Sequence, residues 1–440
     1  MGTRRRKPLP EGEFTAQIID LAQDGRGLAR VDGKVTFIAD ALPGETVQFK
    51  YIRKARDIDE GQVLSVTHAS PDRVQPKCVH FGVCGGCALQ HLAPAKQIEF
   101  KQKQLLDAFE RIGKVQADEI LPPITGAVWH YRRRARLGAK YVAKKGGSLV
   151  GFRERESNFL AMLESCQVLD ARVGLKLKAI AGLIDTLSIR DQLPQIEVAA
   201  LDHVALVLRV LKEPTPDDLL KLQKFSEAED FEIYLQPGGP KTIAPMQPPA
   251  RVLDYSPDGS DTRLRLEPTD FIQINGSVSQ QIVRRALEWL APKAGERVLE
   301  LFCGLGNFSV PLAKTGVELV AVEGEASLVQ RARDNAQRLG LNIRFECADL
   351  FKPVADANWH QGHFDAVLLD PPRTGAREVL PLIARKKPKR IVYVSCSPGT
   401  LARDAGDLVN VHGYRLARAG VMDMFPHTTH VESIALFERA

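Results

Sequence analysis

No apolar run in the 440 residues approaches the ~20 needed to cross a bilayer. The opening Met1-Gly-Thr-Arg-Arg-Arg-Lys7 lacks the apolar stretch of a secretory signal. Both absences set the expectation of a cytoplasmic protein with no membrane partner. Thiols are scarce: seven cysteines in a chain this long argue against a disulfide framework and point to metal binding or catalysis. No internal repeat or low-complexity tract appears. What is there is ordinary for a soluble globular protein, 44% hydrophobic and 26% charged, with length for two or three domains and a sizeable core.

The net charge of +6 is modest but uneven. Arg132, Arg133, Arg134, Arg136, Lys140, Lys144, Lys145, Arg153 and Arg155 crowd one stretch, and Trp129 and Tyr131 interleave with its start. Such a stretch suits a polyanion, since arginine pairs phosphates while rings stack bases; a solvated basic strand face has the same composition. Upstream, residues 1–10 read as a flexible basic tail. Five short alternating runs between Glu13 and about Ser70 are cut by Asp24-Gly25, Asp32-Gly33 and Pro43-Gly44 turns, which predicts a small β-barrel over residues 11–70. The stretch resembles the TRAM domain, an OB-like RNA-binding barrel, and Arg53, Lys54 and Arg56 read as exposed on it.

Cys78, Cys84 and Cys87 fall within ten residues, with Cys166 far downstream. Gly82, Gly85 and Gly86 let the backbone fold tightly around such thiols, and four thiolates suit either an iron-sulfur cluster or zinc. The spacing lacks the three-then-two pattern of radical S-adenosylmethionine enzymes. Lys96 to Arg111 reads as an amphipathic helix, with about 95–120 as the region expected to pack on a catalytic domain. A mixed α+β central domain is expected over 75–265, with a Gly- and Pro-rich loop at 237–249.

From 266 to 440 strands and helices alternate. Arg297-Val-Leu-Glu-Leu-Phe302, Glu318-Leu-Val-Ala-Val-Glu323, Ile343–Cys347, Phe364–Leu369 and Arg390–Val394 read as strands of a largely parallel, Rossmann-like α/β sheet, and a last strand near Val431 to Phe437 is expected antiparallel. Gly304 and Gly306 after the first strand allow close approach of a ligand. Glu323 ends the second, where a carboxylate can accept both hydrogen bonds of a ribose diol. Ser309 replaces the third glycine of the dinucleotide fingerprint, so that pattern is incomplete. Asp349 follows the third strand, and Asp370-Pro371-Pro372-Arg373 the fourth, as a rigid lip. Cys396, in Ser395-Cys-Ser-Pro-Gly-Thr400, ends the fifth strand at the edge where open α/β sheets hold ligands; an isolated cysteine is by default a small core residue.

Leu301-Phe-Cys-Gly-Leu-Gly-Asn-Phe308, Asp370-Pro-Pro-Arg373, Ser395–Thr400 and His430-Val-Glu432-Ser together resemble the RNA uracil-5-methyltransferase family. The resemblance covers nearly the whole chain, and within the family it is to the members that act on 23S ribosomal RNA and carry both barrel and four-cysteine site. It implies a C-terminal S-adenosylmethionine-dependent domain over 266–440, in which Gln273, Phe302, Asn307, Glu323 and Asp349 bind the donor and Asp370 lies between donor and base. It also implies a [4Fe-4S] cluster on Cys78, Cys84, Cys87 and Cys166 in the central, RNA-binding domain. Cys396 is then the nucleophile that adds to carbon 6 of uracil, and Glu432 the base that removes the proton from carbon 5. The implied partner is 23S ribosomal RNA, before or during ribosome assembly, with the protein a monomer. Alternatives are a uridine of another ribosomal or transfer RNA, or a non-catalytic redox-sensing RNA-binding protein.

Overall fold

The computed structural model describes residues 9–352 and 358–439, so most of the tail expected at residues 1–10 lies outside it. Contacts divide the chain into two units: the described residues through Glu99 with Arg153–Asn158 and Pro426–Thr429, and Phe100–Phe152, Phe159–Phe425 and the described residues from His430 onward.

The first unit holds a closed five-stranded barrel, in the order Phe14–Leu21, Gly27–Val31, Lys34–Ala39, Ile58–His68, Thr46–Lys54. Alternation puts Ala16, Ile18, Ala29, Ile38, Val47, Phe49 and Tyr51 inside, with Phe14 and Tyr51 meeting edge-on at 4.8 Å. Asp32 and Gly33 both have positive φ (50° and 79°), the backbone of a tight two-residue hairpin turn. At Gly61 a Cβ would come within 2.5 Å of the Phe49 ring, so only glycine fits beneath it. Arg53, Lys54 and Arg56 are exposed, as expected, while Arg53 also forks onto Glu60 and Lys54 pairs with Asp59.

In the second unit an eight-stranded sheet runs Arg344–Cys347, Glu318–Glu323, Arg297–Leu301, Ala366–Leu369, Arg390–Ser395, Glu432–Arg439, Tyr414–Met422, Glu119–Ile120. The first five strands are parallel, and Glu432–Arg439 is antiparallel to both of its neighbours. The helix read over Lys96 to Arg111 runs Pro94–Ala108, and the rest of the region at about 95–120 holds a π-turn Phe109–Gly113 and the edge strand Glu119–Ile120 in place of further α-helix. A six-stranded mixed sheet contains Arg134–Val142, Gln195–Ala200 and Val204–Arg209 as interior strands. One core joins Ala199, Ala205 and Val207 of this sheet to Leu305 and Val310, just past the first parallel strand of the other. That shared core fixes the loop that follows Leu301. Among the described residues no helix is long and apolar enough to cross a membrane.

Candidate active site

Five strands deliver chemistry to one edge of the large sheet. Phe302 follows Arg297–Leu301, Glu323 ends its own strand, Asp349 lies two residues beyond Cys347, Asp370 follows Leu369, and Cys396 follows Ser395. All five are carboxyl ends of parallel strands, the ligand-binding side of such a sheet. Glu432 opens a strand of the opposite sense, so its amino end lies at the same edge. Ser395 pairs with Ser433 at the last rung of this ladder, so Cys396 and Glu432 both lie at its end, close enough for the Glu432 charge to act on the thiol.

Burial governs the electrostatics here. It pushes the half-buried Cys396 thiol up to about 11, reinforced by the charges of Glu432 and Asp370 and opposed by Arg373. Glu432 is 6% exposed; burial and then Asp370 push its carboxyl up to about 8, against Arg373 and Lys101. Asp370 keeps some solvent contact, yet desolvation of its carboxyl group pushes it up to about 7. Arg373 reaches from the proline lip to His430, Nη2 to Nδ1 at 2.8 Å, joining the lip to the segment that leads into Glu432. Beneath the lip the buried Asp404 accepts from Ala376 N–H at 2.8 Å and Tyr393 O–H at 2.7 Å, which anchors the turn after Pro372.

On the donor side, Gly304 has φ +56° and a Cβ there would meet nothing within 4 Å, so the turn faces open space. Glu323 Oε2 accepts from Gly304 N–H at 3.0 Å, and its Oε1 from Gly324 and Glu325 N–H at 2.7 and 3.0 Å. The carboxylate is thereby held at the mouth of the turn. Asp349 is exposed and held below the usual carboxylate range by Lys352 and the Phe351 N–H. The Phe302 and Phe351 rings lie 5.8 Å apart. Asn307 Oδ1 accepts from Tyr255 O–H at 3.1 Å, and the Gln273 carbonyl accepts from Arg133 Nε at 2.8 Å. An open glycine turn flanked by a fixed carboxylate and an oriented amide suits a nucleoside-bearing donor.

Three features were not visible in the sequence. Lys101 is fully buried, its ammonium 2.7 Å from Asp423 Oδ1 and 2.9 Å from the Phe425 carbonyl, and burial lowers its pKa against the pull of Asp423 and Glu432. Its helix reads as amphipathic, which assigns a lysine to solvent. Glu300, an acid inside an apolar strand, is fully buried, and burial pushes it up to about 8. The Arg132–Arg136 run expected on an RNA-facing surface turns partly inward: Arg132, Arg133 and Arg134 are half-buried, and Arg134 and Arg136 pair with Glu197. Arg136 stays exposed despite that contact, as do Lys140 and Lys144 farther along.

Cys78, Cys84 and Cys87 are partly exposed on a turn of the first unit, where Gly86 N–H donates to Cys84 Sγ at 3.4 Å. Cys166 is buried in the second unit, its N–H donating to the Gly174 carbonyl at 2.7 Å. Among the described residues no group of three or more His, Cys, Asp or Glu side chains has the arrangement of a metal site.

The tRNA (Uracil-5-)-methyltransferase family model matches residues 127–440. A protein of Alkalilimnicola ehrlichii named 23S rRNA (uracil(1939)-C(5))-methyltransferase RlmD is 52% identical, covering 100% of this chain and 99% of its own. One of the same name from Methylococcus capsulatus is 49% identical over 100% of both chains. Among solved structures, the tRNA (uracil-54, C5)-methyltransferase of Pyrococcus abyssi in complex with S-adenosyl-L-homocysteine has a TM-score of 0.73 at 24% identity, covering 96% of this chain and 100% of that one. That likeness establishes the fold.

Proposed function

The chain belongs to the tRNA (uracil-5-)-methyltransferase family, and from that premise we propose that it methylates carbon 5 of a uridine in 23S ribosomal RNA, with S-adenosylmethionine as donor. The relatives at about half identity carry that activity in their names, at uracil 1939. The observation that carries the reading is the convergence of Cys396, Glu432 and Asp370 at one sheet edge, close enough that Glu432 and Asp370 shift the thiol and Asp370 shifts Glu432.

Carbon 5 of uracil becomes nucleophilic only after something adds at carbon 6, and the adding group must later leave. A thiolate does both. Cys396 Sγ adds to carbon 6, and the carbon 5–carbon 6 π electrons move onto the ring as an enolate. When bound, S-adenosylmethionine would supply its sulfonium methyl group to carbon 5 of the enolate, the methyl–sulfur bond breaking so that S-adenosylhomocysteine leaves. Glu432 then takes the carbon 5 proton, the double bond re-forms and the electron pair of the sulfur–carbon bond returns to Cys396. Gln273, Phe302, Asn307, Glu323 and Asp349 are the residues that would hold the donor, with Asp370 between donor and base. Because a ring-stacked uridine is out of reach, the barrel and the exposed lysines are assigned to hold the surrounding RNA strand.

Cys78, Cys84, Cys87 and Cys166 are assigned a [4Fe-4S] cluster that orders the protein or the RNA. The donor set is all thiol, and the Gly86 N–H to Cys84 Sγ bond is of the kind that stabilises ligating thiolates. Anaerobic purification should yield about four iron and four sulfide per chain; stoichiometric zinc without iron would refute the assignment. The reading includes action as a cytoplasmic monomer before or during ribosome assembly. Its central test is nucleoside mass spectrometry of RNA from a strain lacking the gene: the wild-type chain should restore 5-methyluridine in 23S RNA and Cys396→Ala should not. Restoration by Cys396→Ala would favour a non-catalytic RNA-binding role, and a signal confined to transfer RNA would move the substrate.

A further inference from the structure

We propose that Arg133 and Tyr255 form a clamp that positions Gln273 and Asn307 against the methyl donor, so that Arg133 serves donor binding and not RNA binding. This rests on the reading above, that the glycine-turn cleft takes S-adenosylmethionine. Arg133 lies in the basic run whose composition suits phosphate contacts, but its groups point elsewhere. Its backbone N–H donates to the Ile274 carbonyl at 3.0 Å, and its Nε donates to the Gln273 carbonyl at 2.8 Å. One residue therefore grips two consecutive carbonyls and fixes the peptide that carries the Gln273 side chain. The bond uses only the carbonyl of Gln273, which leaves its side-chain amide for a ligand.

The same guanidinium lies 4.8 Å from the centre of the Tyr255 ring. Tyr255 is 5% exposed, and its O–H donates to Asn307 Oδ1 at 3.1 Å. That bond selects one orientation of the Asn307 amide, with the nitrogen turned away from Tyr255. A Cβ on Gly276 would meet Arg133 Nη1 at 3.1 Å, so the guanidinium also packs against the start of the helix Gly276–Leu290. Gln273 and Asn307 sit 34 residues apart in sequence and on different segments. Arg133 and Tyr255 link them through one hydrogen bond, one stacked contact and a second hydrogen bond. A planar guanidinium can stack and donate in its plane at once, which an ammonium cannot do.

The test uses the full-length protein, S-adenosylhomocysteine as the calorimetric probe and steady-state kinetics on 23S RNA. Arg133→Lys is expected to raise KM for S-adenosylmethionine and weaken S-adenosylhomocysteine binding about tenfold, with KM for RNA and kcat at saturating donor within about twofold of wild type. Tyr255→Phe keeps the ring under the guanidinium and deletes only the hydroxyl, so it tests the link without threatening the fold. A rise of about threefold in donor KM alone is expected. Unchanged donor KM in both variants, or a rise confined to KM for RNA, overturns the clamp. A wild-type protein that neither binds S-adenosylhomocysteine nor forms 5-methyluridine overturns the underlying function, an outcome distinct from variants that match an active wild type.

Discussion

In the proposed reaction Glu432 serves the last step and opposes the first. Glu432 and Asp370 raise the thiol, and Asp370 raises Glu432 in turn. Glu432→Gln removes a charge that disfavours the thiolate and also removes the group proposed to take the carbon 5 proton. Adduct formation should therefore be kept or quickened while breakdown stalls. A denaturation-resistant protein–RNA complex on a gel is the expected result, with turnover reduced about 10²–10⁴-fold. Wild-type activity should climb from pH 6 to beyond pH 8, because Glu432 loses its proton near 8 and Cys396 higher still. Stability runs the other way. Folded Glu432 keeps a proton that the unfolded chain releases above about 4.5, so its contribution to stability falls as pH rises from there to about 8. Glu432→Gln should consequently stabilise the protein at pH 7.5 by on the order of 1–3 kcal/mol in denaturant titrations, the gain shrinking toward pH 4.5.

The strands were the legible elements. Buried parallel strands are continuous β-branched runs, and a residue just past such a run lies at the ligand edge whatever the loops do; hence Asp370 and Cys396 could be placed from their neighbours alone. The barrel announced itself through Asp-Gly turns. The helix Pro94–Ala108 was legible as a helix and illegible in its role, since the partner of Lys101 lies 322 residues away. Arg133 and Arg134 misled for the same reason: composition cannot tell a solvated arginine from one whose acceptors, such as the Gln273 carbonyl, arrive from a distant segment. Glu119–Ile120 is too short to show a period. Lys101 sustains a prediction of its own. Asp423 follows Met422, which pairs with Glu432, so the buried ammonium is part of the surroundings of Glu432. Lys101→Met should cost ~3–5 kcal/mol by stranding Asp423. It should also move the pH–rate profile of the surviving protein to more alkaline pH, because Lys101 holds the Glu432 pKa down.

For the molecule as a whole, the +6 charge and the phosphate backbone of the substrate predict opposite salt behaviour for its two ligands. KM for RNA should rise steeply between about 50 and 200 mM salt, as counterion release requires, while KM for S-adenosylmethionine should stay nearly flat. Equal slopes for both would mean that salt acts on folding and not on RNA contact. The strand order carries a further consequence, for synthesis. Glu432–Arg439 lies inside the sheet, between Arg390–Ser395 and Tyr414–Met422, though it follows both in sequence. A nascent chain therefore exposes the glycine turn, Asp370 and Cys396 before it owns the strand that seats beside them. Until that strand inserts, Cys396 lacks Glu432, the group proposed to release it from RNA. If Cys396 and Glu432 act as proposed, a partly made enzyme is thus unable to complete a turnover on the ribosomal RNA that surrounds it during translation.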